Sequence, residues 1–346
     1  MKKKVLDLFC GCGGFSLGFE KTGYDILLGI DIWEEALKTY EANHHKSNIL
    51  CKDLSLLEPN EIKNKYLNEG IDVIIGGPPC QGFSISGKRD LNDPRNKLYQ
   101  SFVSFVEYFK PSAFVMENVP NLVSMNKGKV KDEIINEFEE IGYRVYYKVL
   151  LSSDYGVPQN RKRVFFVGLL NNIKAFEFPE GKYINSRITS SEAISDLPDE
   201  SLQDGVDYIN LPSSEYQKMM RYNSLGIYNH QITNHSEKTK ETIALVPDGG
   251  NYKSLPKNLQ EIRKVNIAWT RLDSKKPSFT IDTGHRHHFH YKFNRVPTVR
   301  EAARIQSFPD NFIFHGSKTA QEKQVGNAVP PILAEIIAKQ LLKYIG

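Results

Sequence analysis

The chain has 346 residues, 40% hydrophobic and 25% charged, with a net charge of +4. That length allows two or three domains of about 100–200 residues, and the composition is that of a globular protein rather than a disordered or fibrous one. No apolar run approaches the ~18 residues of a membrane span, and Met1-Lys2-Lys3-Lys4 leads straight into a strand-like run without an apolar signal region, so neither secretion nor a membrane span is expected.

Short apolar runs alternate with helical patterns through the first half. Residues 5–9 predict a strand, 11–14 a turn, 15–22 a helix, 26–30 a strand and 34–43 a helix. Residues 73–75 form a compact apolar strand that ends in Gly76-Gly77-Pro78-Pro79. Residues 99–109 predict a helix, 113–116 a strand, 131–141 a helix and 164–169 a strand. Strands alternating with helices imply an α/β fold with a parallel sheet covered on both faces.

From about residue 171 Ser, Asn, Asp and Pro rise and the periodicity fades. Regularity returns at Thr298-Val299-Arg300-Glu301, which has the form of a capping box, and residues 332–345 predict a closing helix with one broad apolar stripe. The division expected is residues 1–171, an irregular module at 172–290, and a return to the first domain over 291–346.

The four cysteines, Cys10, Cys12, Cys51 and Cys80, make no disulfide framework and fit a reducing compartment. Cys10-x-Cys12 lacks a second ligand pair at zinc spacing, so no metal is expected. The tract from His285 to His290 reads as plain surface or backbone contact rather than as a metal site.

Asp7-Leu8-Phe9-Cys10-Gly11-Cys12-Gly13-Gly14-Phe15 is a strand, a glycine-rich turn and the start of a helix. Such a loop lets the backbone approach a ligand at the carboxyl end of a strand. Asp31 ends the next strand and suits ribose hydroxyls; Asp53 suits an adenine. A tight structural turn explains a lone glycine loop equally well, and a dinucleotide dehydrogenase is a rival. The spacing Gly-x-Gly-Gly, however, lacks the pyrophosphate signature Gly-x-Gly-x-x-Gly.

Pro78-Pro79-Cys80-Gln81 places a thiol at a strand's carboxyl end behind a fixed backbone. An inert buried cysteine is the usual alternative. Glu117-Asn118-Val119 should emerge at the same sheet edge, where a thiol and a carboxyl together are more telling than either alone. Gln159-Asn160-Arg161-Lys162-Arg163 precedes a strand expected to be an antiparallel edge strand, so its arginines would face the same place.

These motifs resemble the cytosine-C5 DNA methyltransferases of bacterial restriction-modification type. Asp7 to Phe15, Pro78 to Gln81, Glu117 to Val119, Gln159 to Arg163, Arg300-Glu301-Ala302-Ala303-Arg304-Ile305-Gln306-Ser307-Phe308-Pro309 and Gly326-Asn327-Ala328-Val329-Pro330 stand in the family's order and span nearly all the chain except about residues 172–290. The resemblance implies a Rossmann-like S-adenosylmethionine-dependent methyltransferase domain with a smaller, irregular target-recognition domain. It also implies methyl transfer to C5 of a flipped cytosine in a specific duplex DNA sequence, leaving S-adenosylhomocysteine.

Cys80 would add to C6, and Glu117 would meet N3 and the exocyclic amine with a raised pKa. Arg163 would hold O2, Arg161 would brace the catalytic loop or a phosphate, and Asn118 and Pro79 would shape the pocket. For the cofactor the resemblance implies Asp7, Phe9, Gly11, Gly13, Asp31, Asp53, Asn327 and Val329. Phe9 would stack on adenine, and the last two residues would complete the methionine pocket. Gln81, Ser84, Ser86, Lys88 and Arg89 would touch DNA, Ser86 entering the space of the flipped base.

In residues 172–290 the family reads bases, and Arg187, Arg221, Arg263, Lys264, Arg271, Lys275 and Lys276 are the basic candidates there. Expected partners are duplex DNA and a separately acting restriction endonuclease, with the enzyme a cytoplasmic, nucleoid-associated monomer. A transfer-RNA methyltransferase of the same fold and a non-catalytic DNA-binding regulator remain the alternatives.

Overall fold

The computed structural model describes residues 2–67, 70–79, 96–170, 174–262, 269–281 and 288–346. Cys80, Gln81, Ser84, Ser86, Lys88 and Arg89 lie outside the described residues, as do Arg263, Lys264 and His285 to His287. No described helix is long and apolar enough to cross a membrane.

In chain order the elements are β1 (Lys4–Leu8), α1 (Gly14–Lys21), β2 (Asp25–Asp31), α2 (Glu34–Asn43), β3 (Asn48–Cys51), α3 (Pro59–Tyr66), β4 (Val73–Gly76), α4 (Asn96–Phe109), β5 (Ala113–Asn118), α5 (Lys129–Glu140), β6 (Tyr143–Leu151) and β7 (Lys162–Leu170). The short helices α6 (Ser190–Ile194), α7 (Glu215–Arg221), α8 (Glu237–Ala244) and α9 (Lys257–Ile262) follow. Then come β8 (Thr270–Arg271), β9 (His288–Phe289), α10 (Val299–Ile305), α11 (Lys318–Asn327) and α12 (Pro331–Ile345).

The chain divides into two compact units. The first comprises Met1–Leu151, Lys162–Glu180 and Val329–Gly346, and the second Ser152–Arg161 and Gly181–Ala328. The chain rejoins the first unit at Val329. Residues near 300 belong to the second unit because Arg304 is fully buried there, donating to Asp310 (Nη2–Oδ2 2.7 Å) and to Asp196 (Nη1–Oδ1 2.5 Å).

The first unit is a seven-stranded sheet in the order β3-β2-β1-β4-β5-β7-β6. The first five strands are parallel, and β7 runs antiparallel to both β5 and β6. Every residue of β4 and β5 is buried, as expected of strands covered on both faces. On one face α5 buries Val130, Ile134 and Phe138 at four-residue spacing, and Phe138 packs on Phe114 with ring centres 4.1 Å apart. On the other, α12 buries Leu333, Ile337 and Leu341, and Tyr24 Oη donates to the Ala338 carbonyl at 3.1 Å.

Strand order reverses between β1 and β4, which opens a crevice outside the carboxyl ends of the parallel strands. The expected antiparallel strand is present as β7, but β6 lies outside it and forms the edge. Tyr146 and Tyr147 broke the alternation that would have marked β6 as a strand.

In the second unit the predicted capping box is formed. Thr298 Oγ1 accepts from the Glu301 amide at 3.2 Å, and Glu301 accepts from the Thr298 amide at 2.7 Å. Arg295 clamps the same glutamate with Nη1–Oε2 at 2.8 Å and Nη2–Oε1 at 2.9 Å. That bidentate pair holds the Glu301 carboxyl far below its usual range despite burial.

Candidate active site

The glycine-rich turn leaves β1 at the switch point. Phe9 holds φ 60°, Gly11 φ 54° and Gly13 φ 95°. A phenylalanine in the left-handed region costs about 1–3 kcal/mol, strain that tends to persist where a turn is needed for function. The Gly11 amide donates to Asp31 Oδ2 at 2.8 Å, and the Trp33 amide donates to Oδ1 at 2.9 Å. Thus β2 ends in a carboxylate tied to the turn, and a carboxylate can accept several hydrogen bonds at once. A Cβ on Gly11 would meet no described atom within 4 Å, so this stretch of backbone borders open space.

Asp7 lies beneath the turn at 1% exposure. Its Oδ2 accepts from Ser16 Oγ at 2.6 Å, and Ser16 also meets Tyr40 Oη at 2.8 Å. Among the described residues Asp7 Oδ1 has no hydrogen-bond partner. Burial first, with the charges of Asp31 and Glu20 adding to it, pushes the Asp7 carboxyl up to about 8. The neighbouring thiols are inert. Burial raises Cys12 to about 12 and Cys10 well above its ordinary value.

Glu117 stands near the carboxyl end of β5 at 9% exposure. Arg163 Nε lies 2.8 Å from its Oε1, and Arg163 Nη1 donates to the Lys162 carbonyl at 2.8 Å. Asn118 Nδ2 donates to the Pro78 carbonyl at 2.9 Å, while Asn118 Oδ1 accepts from the Val119 amide at 2.8 Å. A Cβ on Gly77 would sit 3.3 Å from Glu117 Oε2. The carboxyl and the backbone leading to Pro79 therefore meet at one sheet edge, with Pro79 exposed.

The family model for C-5 cytosine-specific DNA methylases matches residues 3–343. The chain belongs to that family. It is similar to type II methyltransferase M1.HphI of Haemophilus parahaemolyticus, 41% identical over 99% of this chain and 87% of that protein. It is also similar to M.DdeI of Desulfomicrobium norvegicum, 40% identical over 98% of this chain and 88% of that protein. A crystal structure titled as a prophage-encoded DNA modification methyltransferase of E. coli superposes with TM-score 0.81 at 31% identity, covering 99% of both chains. The S. pombe Dnmt2 methyltransferase shares the fold at TM-score 0.64 and 16% identity, again over 99% of each chain.

The family makes this methylase a user of S-adenosylmethionine. The residues present fit such a ligand, with open space beside Gly11, an acceptor at Asp31 and an unsatisfied buried oxygen on Asp7. Asp53 caps a short 3-10 turn, accepting from the Ser55 amide at 2.9 Å and its hydroxyl at 2.8 Å. Val329 is buried in the first unit, and Asn327 is exposed at the end of α11 in the second. Among the described residues no cluster of His, Cys, Asp and Glu could hold a metal ion.

Arg161 is 1% exposed. Its Nη2 donates to the Gly326 carbonyl at 2.9 Å and its Nη1 to the Ile281 carbonyl at 3.2 Å. Gln159 meets Gln306, and Gln306 reaches the Ala328 carbonyl. Three motifs, whose contacting residues lie 22 to 165 positions apart, thus hold each other inside the second unit. Nothing in the local sequence announces this.

Ser16, Tyr40 and His44 are the residues that motif reasoning missed. His44 is fully buried and its Nδ1 meets Glu20 at 2.7 Å. The only local signal was the polar spacing of α1 and α2 behind the glycine turn.

Several basic candidates of the second unit are committed to the protein itself. Arg271 is buried and donates to the carbonyls of Val246, Ile243, His290 and Phe293. Arg187 pairs with Asp154 and Arg221 with Asp196, while Lys275 and Lys276 are exposed. His290, expected at the surface, is fully buried, and its Nδ1 accepts from the amides of Lys292 and Phe293 at 3.0 and 3.1 Å.

Proposed function

We propose that the first unit methylates C5 of a flipped cytosine in duplex DNA, with Cys80 as nucleophile and Glu117 as the acid that stabilises the attacked ring. The reading is carried chiefly by Glu117, held by Arg163 beside Gly77, three residues before Cys80 in the chain. The Cys80 thiolate forms a bond to C6, and Glu117 hydrogen-bonds N3 and the amine as charge builds on the ring. Arg163 fixes the Glu117 carboxyl and offers its remaining N–H groups to O2. Asn118 holds the Pro78 carbonyl, which sets the path of Pro79 into the nucleophile. S-adenosylmethionine, when bound, supplies the methyl carbon that C5 takes up; loss of the C5 proton then expels the Cys80 sulfur and restores the ring.

On the cofactor side Asp31 takes the ribose, Phe9 the adenine face and Asp53 the adenine amine. Asp7, Gly11 and Gly13 shape the turn, and Asn327 and Val329 serve the methionine end. Gln81, Ser84, Ser86, Lys88 and Arg89 close on the DNA. Residues 172–290 read the sequence. The type II designation of the relatives supports a role beside a separate restriction endonuclease, with the methylase a cytoplasmic, nucleoid-associated monomer.

Genomic DNA carrying 5-fluorocytosine tests the chemistry, because fluorine cannot leave C5 as a proton does. The wild type should form a covalent adduct that survives denaturation. Cys80→Ala should form none while still binding S-adenosylmethionine. Release of free wild-type enzyme from such DNA would refute the covalent route, and methylation of transfer RNA but not DNA would refute the substrate.

A further inference from the structure

The sheet end that carries Glu117 also carries positive charge that the proposed chemistry does not use. β5 and β6 end there and β7 begins there, because β7 runs antiparallel to both. α5 starts at the same end, reached from β5 through two short 3-10 turns. The stretch Asn126-Lys127-Gly128-Lys129-Val130-Lys131 sets three lysines at this corner. Lys127 and Lys129 are exposed, and Lys131 has its Nζ 5.2 Å from the Tyr147 ring centre and 2.8 Å from Asp132.

Tyr147 and Val149 are each 39% exposed on β6. The β6–β7 register pairs Leu151 with Lys162, so exposed Lys162 shares the face of Tyr147 and Val149. Tyr147 is stacked on Phe166 with ring centres 5.7 Å apart, which fixes its plane. Tyr147 is thus a fixed aromatic surface with the Lys131 ammonium beside it.

Lysines are the wrong sign for the start of a helix, where the positive end of the dipole favours anions. Here Lys129 and Lys131 share that turn with one acid, Asp132. Asn126 and Lys127 also hold φ 48° and 58°, a region sparsely populated by residues with side chains. Three lysines against one acid leave this corner with an excess of positive charge, which fits a surface balanced from outside. A polyanion laid against the Glu117 end of the sheet would supply that balance, and DNA is the polyanion on which the family acts.

We infer that Lys127, Lys129 and Lys131, with the exposed Tyr147, grip the sugar–phosphate backbone of DNA beside the target cytosine. The methyltransferase unit then has its own sequence-independent footprint, separate from base reading by residues 172–290. This rests on the reading that the unit acts on cytosine in duplex DNA.

The test uses the full chain with K127Q, K129Q and K131Q combined, and a mixed-sequence duplex of about 30 base pairs, enough to cover a site and its flanks. Each lost phosphate contact should lower the slope of log K against log salt by about 0.9, so the triple variant should lose about 2–3 in slope. The KM for genomic DNA should rise about tenfold near physiological salt, with kcat at saturating DNA and S-adenosylmethionine affinity unchanged. A variant with K2Q, K3Q and K110Q removes the same charge at the opposite sheet end and should keep the wild-type slope.

An unchanged slope in the first variant would leave the corner to an acidic protein partner and overturn the inference, as would an equal drop in the control. Either result would come from a wild type that still methylates DNA. A wild type that methylates no DNA cytosine would instead overturn the underlying reading.

Discussion

Arg163 Nε and Glu117 Oε1 stand 2.8 Å apart, so β7 supplies the counter-charge for the acid that ends β5. The pair is nearly closed to solvent, with side-chain exposures of 16% and 11%. A carboxyl so placed is held in one orientation.

Glu117→Gln should lower kcat by about 10²–10⁴, the usual worth of a positioned acid, while S-adenosylmethionine binding stays intact. Arg163→Gln should destabilise the fold by about 2–4 kcal/mol, because it strands a buried carboxylate. The double variant should lose less stability than Arg163→Gln alone. Single-turnover methylation and urea unfolding measure these effects, and simple additivity in the double variant would contradict a direct pair.

Gly13→Ala should be costly at the cofactor turn. A Cβ there would lie 2.1 Å from His44 Nε2 and 2.9 Å from Tyr40 Cδ2, on a backbone at φ 95°. A loss of about 2–4 kcal/mol is expected from strain and overpacking together. Adding His44→Ala should recover only part of it, since the backbone strain remains. Equilibrium unfolding together with titration of S-adenosylmethionine would show whether both fall.

Asp7 makes stability fall as pH rises from acid through neutral. Its carboxyl, 3.8 when unfolded, is pushed up to about 8 by burial, so the fold keeps a proton that the open chain releases. The favourable contribution is complete below about 3.8 and is lost as pH rises through 8. One such group gives a slope of up to about 1.4 kcal/mol per pH unit. Asp7→Asn should flatten the decline between pH 5 and 8.5, and parallel curves for the two proteins would reject the assignment.

His290 gives the opposite dependence in the second unit. Burial, with Arg295 and Arg271 beside it, lowers it from 6.5 to about 4, against the upward pull of Glu301. Its contribution is present above pH 6.5 and is lost as pH falls through 4, because only the unfolded chain accepts the proton in that window. His230 is lowered in the same direction by its burial. His290→Gln should cost stability at pH 7 yet reduce the further loss between pH 6.5 and 4, as read by urea midpoints.

Features set within a few residues were legible in the chain. The Thr298–Glu301 box, the stripe of α12 and the placing of Glu117 at a strand end all follow from short-range spacing. β6 was not legible, because its outer face meets solvent and two adjacent tyrosines blur its alternation. The turn residues Phe9 to Gly13 stood out, but the polar layer beneath them did not. Ser16, Tyr40 and His44 reach Asp7 and the turn only once α1 and α2 pack on the sheet.

The order of chemical groups along the chain, and hence the family and its reaction, could be read from the sequence by itself, since each motif is a local pattern of residue types. Which guanidinium meets an acid and which is spent on backbone carbonyls was decided only in three dimensions. Arg163 meets an acid across a β ladder, while Arg161, two residues earlier, is spent on the carbonyls of Gly326 and Ile281. A guanidinium takes its role from the partners that surround it, and here those partners lie up to 165 residues away in sequence.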